Sequence, residues 1–262
     1  MGSAPLAGAK NPGVDDSRIK LGCVQPGEAV ATFGDALRRL TDQATFLYVD
    51  GKRYWYSTQP SVTRLAQDRA SQIDSDAVWE ECKKRLRADR NRGDFAAVHT
   101  VPQSSADVPD EMEARLVILP PESPYSNKTS ESEALTAMQD IFDNRGNSKR
   151  LYRNMLVFLA ADFSQLGNLE QSIRWYLAWK SICEETEKLN LDPFQSNQAK
   201  TRLKAADETV NSRINESYVW LLVPSQEDPE SAVEWYKTRL QGQEPLAVRA
   251  SRKLIQDEDL IT

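Results

Sequence analysis

At 262 residues and 29.6 kDa the chain is long enough for one large or two modest domains, taking about 150 residues per domain. Lys and Arg number 33 against 39 Asp and Glu, a net charge of -6, and with 40% hydrophobic residues and a mean hydropathy of -0.59 this excludes collagen-like, mucin-like and integral membrane classes. No run approaches the roughly 20 apolar residues of a spanning helix and the N-terminus lacks a basic-then-apolar leader, so a cytoplasmic protein without membrane contact is expected.

Residues 1–30 are broken by Gly2, Pro5, Gly8, Pro12, Gly13, Gly22, Pro26 and Gly27 and are expected to be irregular. Thr32 with Asp35 then resembles a capping box, and Phe33, Ala36, Leu37, Leu40 and Ala44 recur at helical spacing. Thr45 to Val49 and Lys52 to Thr58 read as strands joined by Asp50-Gly51, the dipeptide of a type I′ turn. That loop would pair Val49 with Lys52, Tyr48 with Arg53, Leu47 with Tyr54 and Phe46 with Trp55. Pro60 opens a short helix through Val62, Leu65 and Ala66, and Ser75 opens another through Val78, Trp79, Cys82 and Leu86 that stops near Gly93. A helix feeding into a hairpin among further helices is the outline of a winged helix.

From Phe95 the texture changes. Phe95 to Val101, Arg115 to Leu119, Met155 to Ala160 and Tyr218 to Val223 are continuous apolar runs, which suit strands buried on both faces of a mostly parallel sheet. Helices are expected over Ser132 to Phe142 and Gly167 to Lys188, the latter with Ile173, Tyr176, Leu177, Trp179 and Ile182 as its apolar stripe. A polar helix from Pro193 to Ile214 would lean on it as a helical hairpin. A last helix is expected after Pro229 through Val233, Trp235, Tyr236 and Leu240, ending at Asp257-Glu258-Asp259-Leu260-Ile261-Thr262. The expected class is therefore mixed α/β. Its parts are an irregular segment over 1–30, a winged-helix-like domain over 31–94, an α/β domain with a helical hairpin over 95–226 and a helical segment over 227–262.

Few residue patterns carry chemistry. Cys23, Cys82 and Cys183 are odd in number and widely spaced, which fits reduced thiols. The single histidine, His99, lies in an apolar strand and reads as a packed residue rather than a catalyst. Gly2 to Lys10 fails the spacing of a phosphate-cradling loop. Leu156 to Asp162 resembles an apolar strand ending in a magnesium-holding carboxylate, but capping of the next helix is the stronger reading for Asp162. Asp107, Asp110, Glu111 and Glu113 lack calcium-loop spacing and read as a solvated loop. The six tryptophans fall mostly on apolar faces and read as core.

Charge is distributed unevenly, with 15 Lys and Arg against 13 Asp and Glu in residues 1–100 and 18 against 26 in the remainder. Lys83-Lys84-Arg85-Leu86-Arg87 with Arg90 and Arg92 is the densest basic run, and with Arg38, Arg39, Lys52, Arg53, Arg64 and Arg69 it forms a candidate phosphate-binding face, the hairpin tip bringing Lys52 and Arg53 to a DNA backbone. A solvated face of mixed charge is the competing reading.

Several stretches resemble one family. They are Leu21 to Glu28, Phe33 to Leu40, the hairpin from Phe46 to Pro60, Arg150 to Asp162, Tyr176 to Lys180 and Tyr218 to Pro224. In these the chain is similar, over nearly its whole length, to the C-terminal portion of the bacterial AAA-type ATP-binding proteins of domain-of-unknown-function family 499. These are associated with anti-phage defence and related to the phage growth limitation ATPases.

The resemblance implies a non-catalytic C-terminal section, starting after the tail of an ATPase core, that couples ATPase state to DNA or partner binding. It also implies other anti-phage defence proteins as partners and homo-oligomers formed through an upstream ATPase core. ATP and magnesium are implied for the parent family only, because no residue here matches its phosphate-binding loop, and no cofactor, catalytic residue or metal ligand is expected in this chain. The alternative is a stand-alone interaction module with a winged helix, binding DNA or docking a protein through its helical hairpin.

Overall fold

A computed structural model describes residues 13–56, 61–128, 132–226, 228 and 231–257. In chain order the elements are β1 (Val14–Asp15), α1 (Asp16–Cys23), α2 (Val30–Gln43), β2 (Leu47–Asp50), β3 (Arg53–Tyr56), α3 (Val62–Gln72), α4 (Ser75–Ala88), β4 (Ala97–Thr100) and β5 (Arg115–Ile118). They continue with α5 (Glu133–Asp143), β6 (Asn144–Arg145), β7 (Ser148–Lys149), β8 (Leu156–Ala161), α6 (Phe163–Glu184), α7 (Pro193–Ser217), β9 (Tyr218–Ser225), β10 (Glu234–Arg239) and α8 (Leu246–Gln256). The class is mixed α/β, as the apolar periodicities predict. The expectations for residues 1–12, for Pro60 and Pro229 as helix openers and for the close at 258–262 lie outside the described residues.

The chain forms two compact units. The described residues up to Gln72 join Leu177–Leu203 in one, while Ile73–Tyr176 and Lys204 onward form the other. These boundaries differ from those drawn on composition, because α4 goes with the α/β sheet and the connected ends of α6 and α7 go with the hairpin.

In the first unit β1, β3 and β2 form an antiparallel sheet in that order. The hairpin register differs from the expected one. Asp50 pairs with Arg53, Val49 with Tyr54, Tyr48 with Trp55 and Leu47 with Tyr56, so the loop is Gly51-Lys52 rather than Asp50-Gly51. Only Gly51 has positive φ, at 57°, which is the type II′ requirement for glycine at the first central position. The sheet's aromatic face meets the start of α7, where Trp55 stacks on Tyr48 at 5.8 Å and lies 5.7 Å from Phe194. A reciprocal capping box fixes that helix start, with Asp192 and Gln195 each accepting from the other's backbone N–H at 2.8 and 3.0 Å. The second end of the buried Gln195 amide donates to the Tyr48 hydroxyl at 2.6 Å.

In the second unit the sheet order is β10-β9-β8-β5-β4. β4, β5 and β8 run parallel, and β9 pairs antiparallel with both β8 and β10, so β9 alone runs against the other strands. The reason lies in the connections. A single helix, α5, carries the chain from β5 to β8 and so restores strand direction. The pair α6 and α7 returns it to its starting point, with the Asp162 N–H donating to the Ser217 carbonyl at 2.8 Å, so β9 must run back. All six residues of β8 are buried. On one face Val117, Leu119, Phe158 and Leu222 pack with Ala134, Met138, Ile141 and Phe142 of α5. The side chains on the other face, Leu116, Ile118, Leu159 and Leu221, are equally buried.

Three further expectations are corrected. Residues 14–23 are not irregular, because Asp15 caps α1 by accepting from Ser17 N–H at 3.0 Å. Thr32 lies inside the first turn of α2, whose N-cap is Ala29 and carries no side-chain cap. The segment holding Trp235 is a strand and not a helix, since Val233 and Trp235, two residues apart, reach the same core, with Trp235 4.9 Å from Phe142. α4 ends at Ala88 with Asp89 as its C-cap, ahead of Gly93, which turns the chain beyond the helix. The φ of Gly93 is 56°, and a Cβ there would come within 2.8 Å of the Ala247 carbonyl oxygen.

One buried cation ties the loops of this unit together. Arg150, 4% exposed, donates to the carbonyls of Ile141, Pro109, Val108, Asn144 and Ser105 at 2.8 to 3.4 Å. Asp110 accepts from the N–H groups of Leu151 and Tyr152 at 2.7 and 2.9 Å and lies 3.9 Å from the guanidinium. Replacing Arg150 with Met leaves these carbonyls without donors. The variant should lose on the order of 3 kcal/mol in urea denaturation, and a loss below about 1 kcal/mol would contradict this role.

Candidate nucleic-acid interface

The basic residues proposed from sequence are divided between the two units. Arg38, Arg39, Lys52, Arg53 and Arg64 belong to the first unit, whereas Lys83, Lys84 and Arg85 belong to the second.

Within the first unit α2 buries none of its residues. Its apolar stripe is only partly covered: Phe33 and Leu37 are half-buried, while Val30 and Leu40 are exposed. Arg38 and Arg39 are exposed, Arg38 bonding the Asp35 carboxylate one turn earlier. The next element brings Lys52 and Arg53 to an exposed tip. Arg53 stands between Asp50 on β2 and Asp15 on β1 in the ladder. Ser17 hydrogen bonds, with a smaller contribution from Lys52 and Arg53, hold the Asp15 carboxyl below its usual pKa. Arg64 is engaged along α3 by Asp68 at 3.2 Å and by Gln67.

The second group is employed differently. Arg85 donates to Glu81 at 2.9 Å, Asp207 at 2.6 Å and Asn211 at 2.7 Å, and its guanidinium lies 4.2 Å from the Tyr176 ring centre. Burial opposes its charge, but Asp207 and Glu81 outweigh that and raise its pKa. A phosphate would have to displace these partners. Lys83 bridges Glu122 and Glu80 at 2.5 and 3.0 Å, and Lys84 is exposed with Glu81 at 3.9 Å.

The other sequence candidates take structural positions. Asp162 accepts from Ser164 N–H and Oγ at 2.9 and 2.7 Å, which is the capping geometry, and lies 3.3 Å from Arg239. Asp107 accepts the backbone N–H groups of Gln103 and Ser104 in its own loop, and Asp110 those of the distant Leu151 and Tyr152. Cys82 is buried and its thiol pKa is pushed up to about 12, chiefly by desolvation, whereas Cys23 is exposed. Among the described residues no helix is long and apolar enough to cross a membrane. Comparison with protein-family models, with curated proteins and with solved structures finds no match to this chain.

His99 is more constrained than a packed core residue. Its Nε2 lies 3.3 Å from Arg115 Nη1, and since a guanidinium can only donate, Nε2 must accept and the ring is neutral with its proton on Nδ1. Burial first, then the charges of Arg115 and Arg150, lower its pKa from 6.5. The unfolded chain therefore binds this proton more readily than the folded one. The stabilisation is complete above pH 6.5 and is lost as pH falls from there toward the lowered value. Because the chain has one histidine, an NMR titration reads it without assignment. The midpoint should lie below 6.5, and a midpoint above it would contradict the Arg115 contact.

Proposed function

We propose that this chain is a non-catalytic DNA-binding module that lays the exposed helix α2 and the tip of the β2–β3 hairpin along the sugar-phosphate backbone. The observation that carries the reading is the exposure, in one compact unit, of Arg38 and Arg39 on a helix with no buried residue and of Lys52 and Arg53 on the hairpin that follows it. Such contacts bind phosphate without reading bases, so affinity should be modest and salt-dependent. Asp15, Asp35 and Asp50 beside these cations favour a small number of phosphate contacts. The resemblance to the domain-of-unknown-function 499 proteins extends the proposal. In that setting the module transmits the nucleotide state of an AAA-type ATPase to DNA, while no residue of this chain hydrolyses ATP.

A second reading, docking of a partner protein, is favoured by the apolar residues this unit exposes, Leu21 at 83%, Val30 at 52% and Leu40 at 45%. Retention of a host protein by the immobilised chain, abolished by Leu40→Asp, would support it. No retention would count against it.

The DNA reading is tested by fluorescence anisotropy with a labelled duplex across a salt series. The double variant Lys52→Ala, Arg53→Ala should weaken binding and flatten the log–log salt slope by about 1 to 2, near 0.9 for each phosphate no longer neutralised. Lys84→Ala should leave both unchanged. Equal affinity and slope for the double variant and the unaltered chain would overturn the proposal.

A further inference from the structure

We propose that the cavity at the C-terminal end of β4 binds the oxyanion group, phosphate or carboxylate, of a small metabolite. The cavity holds about 360 Å³ and is lined by Arg87, His99, Thr100, Val101, Gln103 and Asp107 among others. That volume lies near the lower end of the range for small-molecule sites. All of these residues belong to the second unit, so the site is independent of the proposed DNA contact.

The lining has an excess of donors. Arg87 is exposed on α4 and makes no ion pair or hydrogen bond among the described residues, unlike Lys83, Lys84 and Arg85 on the same helix. His99 offers Nδ1–H, because Arg115 behind it occupies Nε2. Thr100 and Gln103 also line it. The only carboxylate, Asp107, already accepts from the N–H groups of Gln103 and Ser104 at 2.8 and 3.0 Å and so holds the loop. Arg115, which stands against the imidazole, is paired with Glu111 and Glu113, and Arg150 with Asp110, which leaves Arg87 as the lining cation for an arriving anion.

The backbone here is strained. Val101 has φ of 52°, a left-handed conformation that a β-branched residue adopts only under constraint, at a cost of about 1–3 kcal/mol. It is held by burial and by donation of its N–H to the Ile118 carbonyl at 2.8 Å. This kink turns the chain out of the sheet between Thr100 and Gln103, so residues on both sides of it line one cavity. The carboxyl ends of parallel strands are where α/β sheets commonly receive ligands.

The lone histidine is a probe within the site. Inorganic phosphate and acetate are titrated separately into the full chain at constant pH, and the His99 ring resonances are followed by NMR. A saturable shift with phosphate alone assigns a phosphoryl ligand, and one with acetate alone a carboxylate. Either shift should weaken at least tenfold in Arg87→Ala and persist in Lys84→Ala. The unperturbed His99 resonance of the free Arg87→Ala variant verifies its fold. Absence of a saturable shift with both anions, or an undiminished shift in Arg87→Ala, overturns the proposal.

Discussion

The complete burial of β8 is the constraint on which the larger unit depends. Leu156–Ala161 has no residue open to solvent, so its backbone must be paired on both edges and its side chains covered on both faces. Each large apolar side chain buried there contributes about 1.5–3 kcal/mol, enough to impose helices on either side of the sheet. α5 supplies one cover, and Trp220, Val233 and Trp235 extend it across the antiparallel strands. Loops that enter such a core need internal partners for their carbonyls, and Arg150 provides them, with Asp110 as its ion-pair partner at 3.9 Å. Arg249 does the same elsewhere, donating to the carbonyls of Asn215, Tyr218 and Gly242.

Cations in this protein therefore divide by what their surroundings ask of them. Along α4, Lys83 and Arg85 hold carboxylates, Lys84 faces solvent, and Arg87 opens onto a cavity. Composition treats these four as one basic run. Geometry separates a structural role from a solvated position and from one that lines a cavity. The proposed nucleic-acid contact is narrowed by exposure to Arg38, Arg39, Lys52 and Arg53, whereas Arg64 is half-buried and bonded to Asp68 and Gln67.

Much of the fold was legible in local pattern. The four strands read from continuous apolar runs occur where expected, because burial on both faces removes polar residues from the sequence itself. The helical hairpin and the Gly51 turn were legible for similar reasons. What local pattern missed depends on distant partners. The register of β2 and β3 turned on which residues flanked Gly51, and Trp235 read as helical because Tyr236 beside it masked the two-residue spacing of Val233 and Trp235. The acidic pair Asp15-Asp16 ahead of Ile19 was the available sign of α1, outweighed by the surrounding glycines and prolines. The cavity was not legible at all. Arg87 and His99 are twelve positions apart, and no local signal announces that Val101 is left-handed.

The central functional claim is that DNA is engaged by the smaller unit, through α2 and the hairpin, and not by the unit that carries the five-stranded sheet. Hydrogen exchange followed by mass spectrometry, with and without a DNA duplex, tests it most directly. Exchange should slow across Val30–Gln43 and Leu47–Tyr56 on addition of duplex and stay unchanged across Ala97–Thr100. Slowing confined to α4 and β4, with α2 and the hairpin unaffected, would contradict the account.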